Sequence, residues 1–160
     1  MVSEFVNELG ALPPTGFWDP LGISNTADKR RFDYLRAREL KHGRVAMAAV
    51  LGYIVQEVCR LPGYLAPGVE LKFADVPNGL AALGVVPILG WAQMILFVWW
   101  LETAVFIQKE GELPGTFGVG YFGRDLEGDE KEDKLTKELQ NGRLAMLGIL
   151  EILTHDYWRP

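Results

Sequence analysis

The chain has 160 residues, which suits a single domain with its own core. Its formal net charge of -5 argues against a nucleic-acid partner. The single cysteine, Cys59, excludes an intrachain disulfide and a zinc cluster built on cysteine pairs, so we interpret it as a small packed side chain.

The predicted elements are three helices, and no segment alternates polar and apolar residues as a strand would. Residues 1–32 are rich in turn-forming residues and predict an extended surface segment. Helix 1 is expected at about 33–60, helix 2 at about 87–108 and helix 3 at about 132–157. We therefore predict an all-α chain with one domain over residues 1–160.

Helix 2 is the clearest candidate for a membrane span. From Ile88 to Ile107 only Gln93, Glu102 and Thr103 are polar, and a run of ~20 residues matches the thickness of a bilayer core. The apolar stretches of helices 1 and 3 are shorter and would also fit buried helices of a soluble protein. They reach spanning length only if each helix extends backward through a charged segment, to ~40 Å at ~1.5 Å per residue.

The basic residues are unequally distributed if all three helices cross a membrane. Seven lie in residues 29–44, four in 131–143, and Lys109 and Arg124 lie between helices 2 and 3, so thirteen share one side. The other side holds Arg60, Lys72 and Arg159. This bias predicts three crossings, with helices 1 and 3 both starting on the side equivalent to the cytoplasm. The alternative, a soluble helical bundle, predicts no such bias.

One motif occurs twice, at residues 39–47 and 138–146, with Glu, Leu, Gly, Arg, Ala and Met in register. Such a repeat indicates two related helices packed about a pseudo-two-fold axis. A carboxylate near hydrocarbon is costly unless a cation meets it. We therefore expect two reciprocal ion pairs between helices 1 and 3, one joining Glu39 to Arg143 and the other joining Glu138 to Arg44.

Each copy of the motif also carries possible metal ligands. If an arginine neutralises each glutamate, one carboxylate oxygen stays free for a hard cation, and His42 or Asn141 offers a second lone pair one turn further on. The alternative is a pair of ion pairs that is purely structural. A planar macrocycle could lie in the flat space beside the small residues of the motif, which are Gly43, Ala46, Gly142 and Ala145.

Four further polar side chains could also bind a metal: Gln56, Gln93, Glu102 and His155. Gln56, Gln93 and Glu102 could instead form hydrogen bonds between helices. Single ligands of mixed type, each on its own turn, do not resemble an all-protein metal cage. They suit a metal that a macrocycle already holds and that lacks one axial ligand, as the magnesium of chlorophyll does. A soluble helical metalloprotein, another alternative, conflicts with the apolar stretch of helix 2.

The two motifs, the helix lengths and residues 73–83 (Phe-Ala-Asp-Val-Pro-Asn-Gly-Leu-Ala-Ala-Leu) resemble the three-helix light-harvesting chlorophyll-binding superfamily. The resemblance is strongest to its chlorophyll a/c branch, the fucoxanthin or peridinin antennae of algae, and covers about residues 16–158. It implies binding of chlorophyll a, chlorophyll c, and carotenoids of the fucoxanthin or peridinin type and of the diadinoxanthin type. The implied magnesium ligands are Glu39, His42, Glu138, Asn141 and His155, with Gln56, Gln93 and Glu102 in addition.

The resemblance further implies a function without enzymatic chemistry in a chloroplast thylakoid membrane, and the charge bias then places the N-terminus on the stromal side. That function is the capture of excitation energy and its transfer to a photosystem core (I or II), beside other antenna subunits and thylakoid lipids. The alternative is a photoprotective quencher of the same superfamily, a role that the dispersed lumenal carboxylates do not favour. Carotenoids are implied near residues 18–22, whereas residues 121–125, before the second motif, depart from the family pattern.

Overall fold

Three long helices account for most of the described part of the chain. The structure is a computed structural model, and it describes residues 5, 8–24, 28–108, 113–117 and 127–158. Helix α1 runs over Lys29–Val58, the short helix α2 over Ala82–Val85, α3 over Ile88–Trp100 and α4 over Gly128–Trp158. Single 3-10 turns occur at Pro67–Val69, Phe73–Asp75 and Gly79–Ala81.

The helices α1 and α4 begin about one turn earlier than the sequence predicted. The first backbone bond into α1 is donated by the Phe32 N–H to the Asp28 carbonyl, at 3.0 Å. The first turn of α4 contains Asp129 and Glu130, whose negative charges stabilise the N-terminal end of a helix dipole. The acidic residues at the start of α4 therefore favour the helix there, whereas the first turn of α1 contains no acidic residue.

Helix α3 carries the most apolar sequence and changes geometry at its end. After Trp100 the chain continues as a π-helix over Leu101–Val105, closed by a bond of 2.8 Å from the Phe106 N–H to the Leu101 carbonyl. The predicted helix 2 therefore ends earlier than residue 108. Among the described residues, Ile88–Val105 is the only helical stretch long and apolar enough to cross a membrane, and none of it is buried within the protein.

A small β-hairpin corrects the expectation of a chain without strands. Strand β1, Tyr64–Ala66, pairs antiparallel with β2, Leu71–Lys72, and Tyr64 lies opposite Lys72. Strands of three and two residues are too short to produce a recognisable alternation of polar and apolar residues.

The residues group into two compact units, one formed by Met1–Val45 with Gln108–Leu144 and the other by Ala46–Ile107 with Ala145–Pro160. The core of the first unit contains Phe32, which stacks on Phe5 with ring centroids 4.1 Å apart. It also contains Leu40 and Leu139, which occupy equivalent positions in the two copies of the motif. The motif leucines are thus the apolar centre of this unit.

In the second unit, polar side chains join the last turns of α1 and α4 to the loop before α2. The Tyr53 hydroxyl donates to Asp156 Oδ1 at 2.9 Å. The Asn78 amide donates to the Tyr53 carbonyl and to Glu57 Oε1, both at 3.0 Å. Gly79, with φ of +66°, passes so close to Asp156 that a Cβ there would overlap the carboxylate. The bonds of Asn78 hold the loop against α1, and the close approach of Gly79 to Asp156 places the loop against α4.

Candidate functional site

The two copies of the repeated motif contact each other through their glycines. A Cβ added to Gly43 would lie 2.9 Å from the Gly142 Cα, and one added to Gly142 would lie 3.0 Å from the Gly43 Cα. Two helix backbones can approach this closely only where both residues lack a side chain. The expectation that these two glycines leave open space for a macrocycle was therefore wrong, because each faces the other helix. Ala46 is also buried.

Both expected glutamate and arginine pairs come together on either side of this glycine contact. Arg44 Nε lies 2.6 Å from Glu138 Oε1, and Arg143 Nε lies 2.7 Å from Glu39 Oε1. The four side chains are each about a third exposed. The arrangement is reciprocal, since each helix supplies one acid and one base.

Each arginine also holds a loop. Arg44 Nη1 donates to the Gly115 carbonyl at 2.7 Å, and Arg143 Nη1 donates to the Gly10 carbonyl at 2.8 Å. Gly10 and Gly115 have φ of +86° and +79°, a backbone conformation that glycine adopts at little cost. These bonds could not be predicted from the sequence, because a backbone acceptor leaves no side-chain signature. The only signal was a glycine in each loop.

Glu39 has a second guanidinium partner that the sequence analysis did not identify. Arg36 Nη1 lies 2.9 Å from Glu39 Oε2, so both carboxylate oxygens accept hydrogen bonds from arginines. The expectation that one oxygen would remain free was therefore wrong for Glu39. A carboxylate oxygen has two lone pairs, so each oxygen of Glu39 retains one for a metal.

His42 presents its imidazole ring on the exposed surface of α1. Its side chain is exposed, and Nδ1 lies 2.8 Å from the Arg38 carbonyl oxygen. Because a carbonyl only accepts hydrogen bonds, Nδ1 carries a proton, so in the neutral imidazole Nε2 keeps its lone pair. Asn141, at the equivalent position of α4, is also exposed. Both side chains can therefore reach a group bound on the outer surface of their helix.

The remaining candidates lie in the second unit. Gln56 on α1 and Gln93 on α3 are exposed, and Glu102 is half-buried in the π-helix. His155 lines an open cavity of about 680 Å³ together with Tyr53, Glu151, Ile152, Thr154 and Trp158. Within the described ranges no three His, Cys, Asp or Glu side chains group as metal ligands.

The segment 18–22, expected near a carotenoid, contains a turn organised by Asp19. Its carboxylate accepts hydrogen bonds from the Ser24 hydroxyl, from the Ser24 N–H at 2.8 Å and from the Ile23 N–H at 3.1 Å. The Ser24 hydroxyl, followed by the Ser24 N–H, lowers the pKa of the Asp19 carboxyl. This contribution to stability is present above the ordinary pKa of Asp and is lost as the pH falls through the lowered value. Trp18 and Leu21 are exposed, and residues 121–125 lie outside the described residues.

Comparison with known proteins identifies the family. Residues 5–157 match the family described as Chlorophyll A-B binding protein. The chain is 45% identical to fucoxanthin-chlorophyll a-c binding protein B, chloroplastic, of Macrocystis pyrifera, over 98% of this chain and 74% of that protein. It is 47% identical to protein E of the same organism, over 98% and 76% of the two chains. It is 46% identical to protein F of Phaeodactylum tricornutum, over 95% and 79%.

The extent of these matches settles what kind of protein this is. Members of the family are helical membrane proteins that bind pigments in light-harvesting antennae, and they are not enzymes. The match covers nearly all of the chain, including both copies of the repeated motif. The chain belongs to the chlorophyll A-B binding protein family.

Proposed function

We propose that the chain is an antenna subunit of the chloroplast thylakoid membrane that binds chlorophyll a, chlorophyll c and fucoxanthin. The observation that carries this is the identity of about 45% to fucoxanthin-chlorophyll a-c binding proteins over nearly the whole chain. Bound chlorophylls and carotenoids supply light absorption and the transfer of excitation to a photosystem. The residues of the chain hold these pigments in place, and the same relatives favour fucoxanthin over peridinin.

Pigment analysis tests this proposal directly. The protein is purified in mild detergent from its native membrane, and its pigments are extracted and separated by chromatography. Chlorophyll a, chlorophyll c and fucoxanthin are expected to co-purify with the chain, and excitation of the carotenoid should produce chlorophyll a fluorescence. Peridinin in place of fucoxanthin, or a protein without bound pigment, would refute the assignment.

The proposed chlorophyll ligands are single side chains on the surfaces of the helices. They are Glu39, His42, Gln56, Gln93, Glu102, Glu138, Asn141 and His155. Exposure of His42, Asn141, Gln56, Gln93 and His155 supports this set, since a pigment must reach the donor atom from outside the helix. The free Nε2 of His42 and the open cavity beside His155 add to that support.

His42→Leu is expected to lose roughly one chlorophyll per chain while the fold persists, because the substitution removes one axial donor from an exposed position. The measurement is the chlorophyll content per chain of the reconstituted protein. His42→Asn is the matched control, because it copies the residue at the equivalent position 141 and restores a lone pair. Retention of the chlorophyll in His42→Leu would show that His42 is not a ligand.

We further propose a single domain over residues 1–160 with three membrane crossings by α1, α3 and α4. Helices α1 and α4, of 30 and 31 residues, reach ~45 Å at ~1.5 Å per residue. The unburied apolar surface of α3 supports a lipid environment for the second crossing. The reciprocal ion pairs support a pseudo-two-fold relation of α1 to α4. Proposed neighbours are a photosystem core, other antenna subunits and thylakoid lipids.

The charge bias orients this topology, with the N-terminus on the stromal side. Protease added to sealed, right-side-out thylakoids is expected to cut within residues 109–134 and to spare residues 61–78. Fragments are identified by mass spectrometry, and detergent-opened thylakoids serve as the control in which both loops become accessible. Cutting only within 61–78 in sealed membranes would reverse the orientation, and cutting in both loops would refute three crossings.

A further inference from the structure

Arg36 breaks the symmetry between the two copies of the motif. It lies three residues before Glu39 and contacts Glu39 Oε2 at 2.9 Å, while Arg143 contacts Oε1 at 2.7 Å. The equivalent position in the second copy, three residues before Glu138, is Leu135. Among the residues that the structure describes, the second guanidinium contact of Glu39 therefore has no counterpart at Glu138.

The position of Arg36 is fixed by its surroundings. Its side chain is only 12% exposed, and its guanidinium lies 5.3 Å from the centroid of the Phe32 ring. Phe32 in turn stacks on Phe5. Lys29, whose Nζ lies 5.5 Å from the centroid of the same Phe32 ring, is paired with Glu8 at 2.9 Å and with Asp33 at 3.1 Å. Arg36 is thus a fixed positive charge directed at Glu39.

The two glutamate sites consequently differ in charge. Glu39 together with Arg36 and Arg143 carries a net positive charge, whereas Glu138 together with Arg44 is neutral. A fixed charge acts strongly over short distances in a medium of low dielectric constant. Such a charge changes the energy of an electronic transition in a neighbouring pigment when the ground and excited states of that pigment differ in charge distribution.

We infer that Arg36 is a positioning residue that sets the absorption energy of the chlorophyll bound at Glu39, making the two pseudo-symmetric glutamate sites spectrally distinct. This inference rests on the proposed role of Glu39 as a chlorophyll ligand. Arg36 acts through the carboxylate in two ways. It fixes the orientation of Glu39. It also withdraws electron density from Oε2, the carboxylate oxygen that Arg143 does not contact.

The test compares Arg36→Leu, which copies Leu135, with Arg36→Lys, which keeps the positive charge. Arg31→Leu is the control for loss of charge, because Arg31 is exposed on the same helix and has no described contact with Glu39. Each reconstituted protein is examined by low-temperature absorption, by pigment stoichiometry and by thermal denaturation. Arg36→Leu is expected to keep its chlorophylls and to shift one sub-band of the red absorption. Arg36→Lys should stay closer to the wild-type spectrum, and Arg31→Leu should match it.

A paired variant, Glu39→Leu with Arg143→Leu, separates failure of this inference from failure of the ligand assignment. It is expected to lose roughly one chlorophyll, and adding Arg36→Leu to it should then cause no further spectral shift. An unshifted Arg36→Leu spectrum, with or without lower thermal stability, overturns the inference but leaves the antenna function intact. Full chlorophyll content in the paired variant overturns Glu39 as a ligand, and with it the inference. If the paired variant does not assemble, the absorption spectra of Arg36→Leu and Arg36→Lys decide the question. Equal spectra of these two variants would show that the charge of Arg36 does not set the absorption energy.

Discussion

Arg44→Leu is expected to prevent stable assembly of the pigmented protein. Arg44 is the one charged partner that the described part of the chain provides for Glu138, at 2.6 Å. Removing it leaves a carboxylate at a helix contact without a cation. Breaking a fully buried pair costs about 3–5 kcal/mol, and the cost for this pair is lower because both side chains are about a third exposed. The same substitution removes the bond from Arg44 to the Gly115 carbonyl. The measurement is the yield of reconstituted protein and its thermal denaturation, followed by circular dichroism of the bound pigments.

Arg143→Leu is the informative comparison and should be milder than Arg44→Leu. In that variant Glu39 still contacts Arg36 at 2.9 Å, so its charge keeps a partner. A paired variant, Arg44→Leu with Glu138→Leu, should recover part of the lost stability because no unpaired charge remains. If Arg143→Leu assembles as poorly as Arg44→Leu, the second contact from Arg36 contributes nothing to stability.

Gly142→Ala is expected to force α1 and α4 apart at their closest point. The added methyl group would lie 3.0 Å from the Gly43 Cα, which is a backbone atom that cannot rotate away. Overpacking of this kind costs about 1–3 kcal/mol. Separation of the helices would also lengthen both ion pairs, so pigment binding should weaken together with thermal stability. Both are measured in the reconstituted protein.

Gly148→Ala is the matched control on the same helix. A Cβ at Gly148 meets no atom within 4 Å, so the substitution introduces no contact. Replacing a helical glycine by alanine gains up to ~1 kcal/mol of helix propensity. The control should therefore be neutral or more stable than the wild type. Equal loss of stability in Gly142→Ala and Gly148→Ala would show that close helix approach is not the cause.

The ion pairs could be predicted from the sequence because two independent constraints agree on them. The repeat places Glu39 and Glu138 at equivalent positions, and the cost of an unpaired carboxylate requires a cation from elsewhere. The role of the glycines could not be predicted in the same way. His42 and Gly43 are consecutive, so they point in different directions around the helix axis. Helical periodicity does not predict which of the two faces the partner helix.

Arg36 was missed because an arginine three residues before a glutamate looks like an ordinary surface pair within one helix. A comparison of the two copies beyond the repeated residues could have indicated it, since Leu135 replaces it in the second copy. The helix starts were predicted to within four residues, and the acidic first turn of α4 accounts for the difference there. Helix 2 was predicted to end at residue 108, whereas α3 ends at Trp100 and its π-helical continuation ends at Val105. The segments that accept hydrogen bonds from Arg44 and Arg143 could not be predicted, because the acceptors are backbone carbonyls, which every residue possesses.

The docking of the Gly10 loop has a consequence for the order of folding. The Gly10 carbonyl accepts hydrogen bonds from Arg143 at 2.8 Å and from Gln140 at 3.1 Å, and both donors lie on α4. Gly10 also packs against Leu139, another residue of α4. During synthesis the chain around Gly10 emerges more than a hundred residues before its partners. This early segment must therefore wait for the last helix, so its docking is a late step that only a fully synthesised chain can complete.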